Sequence, residues 1–87
     1  MEKIAEIIND WDPIELFPMA PQNEYFNEIV KIHEYVSSQQ NLHVQALAEM
    51  INKTFLDTFG PDVYNQNMEQ CMIVAERIIS RIGGNIA

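Results

Sequence analysis

No stretch of this chain alternates polar and apolar residues with period two over a useful length, whereas apolar residues recur at helical spacing in four separate stretches. A half-buried strand needs the two-residue repeat and an amphipathic helix the 3.6-residue one, so the contrast excludes a sheet and predicts an all-α core. Ile4, Ile7, Ile8 and Trp11 fall at i, i+3, i+4 and i+7 and predict a helix over about residues 2–11, with Glu2, Lys3, Glu6, Asn9 and Asp10 on the other side. A second helix is predicted over about 23–37, its stripe being Tyr25, Phe26, Ile29, Val30, Ile32, His33 and Val36. Glu24, Glu28, Lys31 and Tyr35 lie nearly opposite that stripe.

A third helix, over about 42–59, carries Val44, Leu47, Ala48, Ile51, Phe55 and Phe59 on one face, with Asn41 or Ser38 as its cap. Glu49 and Lys53 are spaced to pair at i,i+4 on the other face. Gly60-Pro61 is a stop signal, since Gly accepts a left-handed terminal position and Pro cannot continue the helix. The fourth helix, over about 66–82, has Met68, Cys71, Met72, Ala75, Ile78, Ile79 and Ile82 as a wide stripe. Asn67 and Gln70 have capping-box spacing, Arg77 and Arg81 lie where cations suit the helix dipole, and Gly83-Gly84 ends the element.

Between the first two helices lies a more specified segment, Trp11 to Pro21, with the only Trp and three of the four Pro. Asp12 suits an N-cap, Pro13 the first helical position, and Glu15 the third residue of a capping box. Together Trp11, Asp12, Pro13 and Glu15 predict a one-turn helix over about 13–17, which Pro18 ends by pushing Phe17 out of the α region. The expected fold is therefore a compact all-α four-helix domain with an extra one-turn helix at the Trp-Asp-Pro segment, one domain over residues 1–87.

The chain carries 13 acids against 5 bases, a net charge of −8, with hydrophobic residues at 47%, enough for one core. The charge is uneven: residues 1–34 hold eight acids and two Lys, a net −6, and residues 35–87 hold five acids and three bases, a net −2. Such a field repels nucleic-acid phosphates and anionic lipid and attracts cationic partners. The longest uninterrupted apolar run, Cys71 to Ala75, is far short of a membrane span, and Glu6 interrupts the N-terminal apolar residues too early for a signal peptide. The expected location is the cytoplasm, with no nucleic-acid or membrane partner.

Catalytic chemistry is absent from the sequence as a pattern. His33 sits mid-stripe on the second helix and reads as a core histidine rather than a base or ligand, since no partner cluster accompanies it. His43, on a stripe border, reads as a surface residue. No Glu-x-x-His pair and no close set of Cys and His offers a metal site, and no Gly-rich loop or nucleophile elbow is present. Cys71 is the one cysteine, which precludes an intrachain disulfide, and its place on a stripe reads as a small buried apolar residue. No enzyme, cofactor or metal is expected. What remains is surface: Tyr35 beside Glu24, Glu28 and Lys31 suits binding a cationic protein. Leu42, Met50 and Leu56 fall off the main stripe of the third helix and are available to the first helix, to a partner subunit or to water.

Trp11-Asp12-Pro13-Ile14 at the end of a short amphipathic helix resembles the YugE-type family of small uncharacterised bacterial proteins. Glu24-Tyr25, Leu47-Ala48, Phe59-Gly60 and a final Ala/Ile-rich helix follow in the same order, so the resemblance spans almost the whole chain. It implies a compact helical domain of bacterial, Bacillus-type origin and no activity, because the family is a domain of unknown function. Glu15 stands where that family's pattern often has Gly or a small residue, and it favours capping over a tight turn. The functional expectation is a small acidic interaction module of the immunity or antitoxin kind that neutralises a basic partner. The alternative is a structural or regulatory homodimer without catalytic activity.

Overall fold

The computed structural model describes residues 2–14 and 24–82. Four helices run in order: α1 (Glu2–Trp11), α2 (Phe26–Ser38), α3 (Val44–Phe59) and α4 (Met68–Ile82). No strand is present among the described residues. Each helix packs on two others, α1 on α4 and α2, and α3 on α2 and α4, so the four close a ring around one core. The radius of gyration is 12.2 Å, against about 12 Å expected for a compact chain of this length.

The helical stripes of α1 and α4 bury much as their spacing requires. Ile4, Ile7 and Ile8 are buried on α1, and Cys71, Val74, Ala75, Ile78 and Ile79 on α4. Met68 instead stays 40% exposed, and Val74, off the expected stripe, replaces it inside. The α1–α4 seam is bordered by polar contacts: Arg81 to Glu6 at 2.8 Å, Arg77 to Asp10 at 3.2 Å, and the Lys3 ammonium donating to the Arg81 carbonyl at 3.3 Å. These exposed pairs contribute little free energy each, so the apolar seam beneath them holds the helices together.

Helix ends depart from expectation in instructive ways. Asp12 adopts φ 46° and its N–H donates to the Ile8 carbonyl at 2.9 Å, so it ends α1 in the left-handed position usually taken by Gly. That backbone is not the extended conformation of an N-cap. The expected one-turn helix extends over Glu15 to Phe17, which lie outside the described residues, as do the Pro18–Pro21 connector and Gly83-Gly84. α3 begins at Val44 after an extended His43, not at an Asn41 or Ser38 cap, because Leu42 is buried and must reach the core before the helix starts. The Lys53 partner is Asp57 at 3.2 Å rather than Glu49. Gly60 ends α3 as expected, its N–H donating to the Leu56 carbonyl at 2.8 Å, but at φ 80° and ψ 163° it is extended with positive φ rather than left-handed helical. Asn67 caps α4 by accepting the Gln70 N–H at 3.1 Å, but the Gln70 side chain turns outward to Trp11 instead of closing the box.

α2 is rotated relative to its expected face. Tyr25 is buried and lies in a turn before the helix; its hydroxyl donates to Asp12 Oδ1 at 2.6 Å and accepts the Ile14 N–H at 3.3 Å. This anchor brings the end of α1 to the start of α2 and sets α2's rotation. One residue further on, a 100° turn points Phe26 to solvent at 52% exposure, while Glu28 turns inward at 2%.

Candidate functional site

Trp11 is the residue around which the outer surface of the bundle is organised. It is half-buried at the end of α1, with its ring edge-on to Phe55 at 5.4 Å and to Tyr64 at 6.5 Å. Phe55 in turn meets Tyr25, Phe59 and Tyr64, so one aromatic cluster joins α1, α3 and the two loops. The indole N–H donates to Gln70 Oε1 at 3.0 Å, fixing the ring against the first turn of α4.

Two depressions meet at this Trp11–Gln70 contact. One, about 750 Å³, is lined by Trp11, Asp12, Pro13, Ile14, Val63, Asn65 and Gln70. The other, about 250 Å³, is lined by Trp11, Gln70, Ile73, Val74 and Arg77. Val63 and Ile73 stand at their margins with 56% and 54% of their surface exposed. The site is thus a shallow saddle with an aromatic floor, suited to contact rather than to enclosing a reactive group.

The surface expected on α2 is divided. Glu24 and Lys31 are exposed, Tyr35 is half-buried and packed against the core, and Glu28 is buried, so the four do not share one open face. The rotation set by Tyr25 is the physical reason. The off-stripe residues of α3 are likewise absorbed internally: Leu42 is buried, and Met50 and Leu56 pack against the core.

His33 is half-buried at the bundle's other end, in a depression of about 400 Å³ that also includes Glu2, Lys3, Ile4, Val36, Ser37 and Ile82. Its imidazole makes no hydrogen bond among the described residues. His43 is exposed at the start of α3. Among the described residues no group of three or more His, Cys, Asp or Glu is placed to hold a metal.

Cys71 is buried, as its stripe position implies, but it is not an isolated apolar filler. Its Sγ lies 3.3 Å from the Tyr64 hydroxyl, which donates to Asn52 Oδ1 at 2.9 Å. Either atom of the Tyr64–Cys71 contact can donate, and the Cys71 thiol also lies 3.9 Å from Asn52 Oδ1 as a donor. Asn52 Nδ2 donates onward to Gln66 Oε1 at 3.1 Å. Burial pushes the Cys71 thiol above its ordinary range, the Tyr64 bond only partly opposing it, and burial together with Cys71 pushes the Tyr64 phenol up strongly. A thiol kept protonated is a poor nucleophile, so this cluster acts as a structural tie between α3, α4 and the loop joining them. Sequence reading missed Tyr64 and Asn52. The available signal was a large aromatic stranded in a turn between a Gly-Pro stop and an Asn cap, where it has to bury somewhere.

No helix among the described residues is long and apolar enough to cross a membrane. Comparison of the chain with protein-family models, with curated proteins and with solved structures finds no match.

Proposed function

We propose that this chain is a non-catalytic protein–protein interaction module that recognises a basic partner, in the manner of a neutralising immunity or antitoxin protein. The observation that carries the reading is the charge: 13 acids against 5 bases on an 87-residue chain. Three of the bases, Lys53, Arg77 and Arg81, are engaged with Asp57, Asp10 and Glu6, so little cationic surface offsets the field. An excess of this size steers a basic protein to the surface and sets orientation. The resemblance to the YugE-type family is consistent with a helical domain of this size and assigns it no activity.

The test is affinity capture from the source cell at low and high salt, with binders identified and then purified. The expected result is a basic protein bound with a steep salt dependence and weakened when Glu24, Glu49, Asp62 and Glu69 are together replaced by Gln. Absence of any cationic binder at low salt overturns the reading. A second reading, a homodimer, is favoured by the exposed apolar residues Met68 and Ile73 on α4. Light scattering that gives a strict monomer at high micromolar concentration removes it.

A further inference from the structure

The geometry points to the Trp11–Gln70 saddle as the docking site for a cationic segment of another protein that inserts apolar anchors between Lys or Arg residues; this rests on the basic-partner reading above. Two depressions share Trp11 and Gln70 and together form one continuous strip from Ile14 and Val63 at one end to Ile73 and Arg77 at the other. The strip is floored by the indole, which is held in place by its hydrogen bond to Gln70 and by Phe55 behind it. A rigid aromatic floor of this kind gives contact area at small entropic cost.

Val63 and Ile73 project from the strip with more than half their surface exposed. They are large apolar side chains left in water on a protein in which eighteen of the described residues form a buried apolar core. The net negative charge beside the strip comes from carboxylates outside its two linings. Asp12, which lines one depression, is engaged by the Tyr25 hydroxyl, and Arg77, which lines the other, is paired with Asp10. On α4, Glu69 and Glu76 sit at i−4 and i+3 from Ile73, and both are exposed, so the helix places a carboxylate on each side of it.

Charge complementarity selects the occupant. A second copy of this chain would bring a net charge of −8 and its own flanking carboxylates against the same edges. A cationic segment meets those edges with opposite charge, and its apolar residues cover Trp11, Val63 and Ile73. Apolar anchors then supply affinity, and the flanking carboxylates supply orientation and rate.

The sole Trp of the chain reports directly on its own site. The probe is the synthetic peptide Lys-Lys-Leu-Lys-Lys-Leu-Leu-Lys-Lys, compared with versions in which Ser replaces Leu or Glu replaces Lys. The expected result is a saturable blue shift of Trp11 emission with the Lys–Leu peptide, and perturbation of the indole N–H resonance. Replacing Val63→Ser and Ile73→Ser together should weaken this binding more than about tenfold, since two anchors lose their apolar contact. Phe26→Ser, at an exposed residue that lines neither depression, should leave it unchanged, and helical circular dichroism should be retained in all three proteins.

Equal binding of the Ser-containing peptide, or insensitivity to the Val63 and Ile73 changes, overturns the saddle while leaving a basic-partner function standing. Failure of every cationic peptide to bind at low salt overturns both. A blue shift that grows with protein concentration in the absence of peptide identifies a second copy as the occupant and overturns the assignment.

Discussion

Tyr64 shares its hydroxyl between Asn52 and Cys71; Tyr64 and Cys71 are buried and Asn52 is half-buried. Tyr64→Phe should therefore lower stability by about 1 kcal/mol in urea unfolding, the net loss of one part-buried hydrogen bond. The pH dependence follows from the same cluster. Both groups titrate higher in the folded state than in the unfolded chain, so the folded state holds protons that the unfolded state releases. Stability is then full below the ordinary thiol value of 9.0 and falls as pH rises above it. Urea midpoints measured from pH 7 to pH 11 should decline through that window, and less steeply in Tyr64→Phe. A flat profile contradicts the burial assigned to these groups. At Gly60 the backbone stands at φ 80° and ψ 163°, a region essentially confined to Gly. A Cβ there meets nothing within 4 Å, so Gly60→Ala should cost about 1–3 kcal/mol through backbone strain alone. An unchanged melting temperature would show that the turn relaxes freely.

The rotation of α2 is where the sequence pattern and the folded helix part company. Its apolar residues span an arc of roughly 160° at 100° per residue, wide enough that periodicity alone defines an arc rather than a direction. Tyr25, held by Asp12 and Ile14, chooses within that arc: Ile29, Ile32 and Val36 go in, Phe26 goes out, and Glu28 is carried inside. Phe26→Gln should accordingly change stability by no more than about 0.5 kcal/mol, as exposed substitutions do. Ile29→Ala should cost about 2–4 kcal/mol, because it removes buried methyl groups and leaves a cavity. A cost for Phe26→Gln as large as that for Ile29→Ala in denaturant titrations would restore the face predicted from spacing. For α1 and α4, whose stripes are narrower and better bounded by charge, spacing and burial nearly agree, and only exchanges such as Val74 for Met68 separate them.

Across the whole molecule, net charge opposes compaction. Three exposed ion pairs are screened by salt, which weakens them slightly, but the same salt screens the much larger repulsion among the remaining carboxylates. The melting temperature should therefore rise between about 10 mM and about 300 mM NaCl, where the Debye length falls from about 30 Å to below 10 Å. A falling melting temperature would mean that the α1–α4 ion pairs outweigh the repulsion. The four helices, their approximate bounds, the Gly60 stop, the Asn67 cap and the acidic character were all legible in residue order, because each depends on neighbours within a few positions. The candidate site was not. Trp11 was legible as the last residue of a stripe, yet its floor is Phe55, its hydrogen-bond partner is Gln70, and its margins are Val63 and Ile73. None of these is local to it in the chain. The same holds for the Tyr25–Asp12 anchor and for the Asn52–Tyr64–Cys71 tie. Local periodicity and capping chemistry determined which segments become helices and which of their faces can be apolar. Only packing decided the rotation of α2, the partners of each aromatic ring, and which apolar residues were left in water, since those depend on what the other helices present at contact.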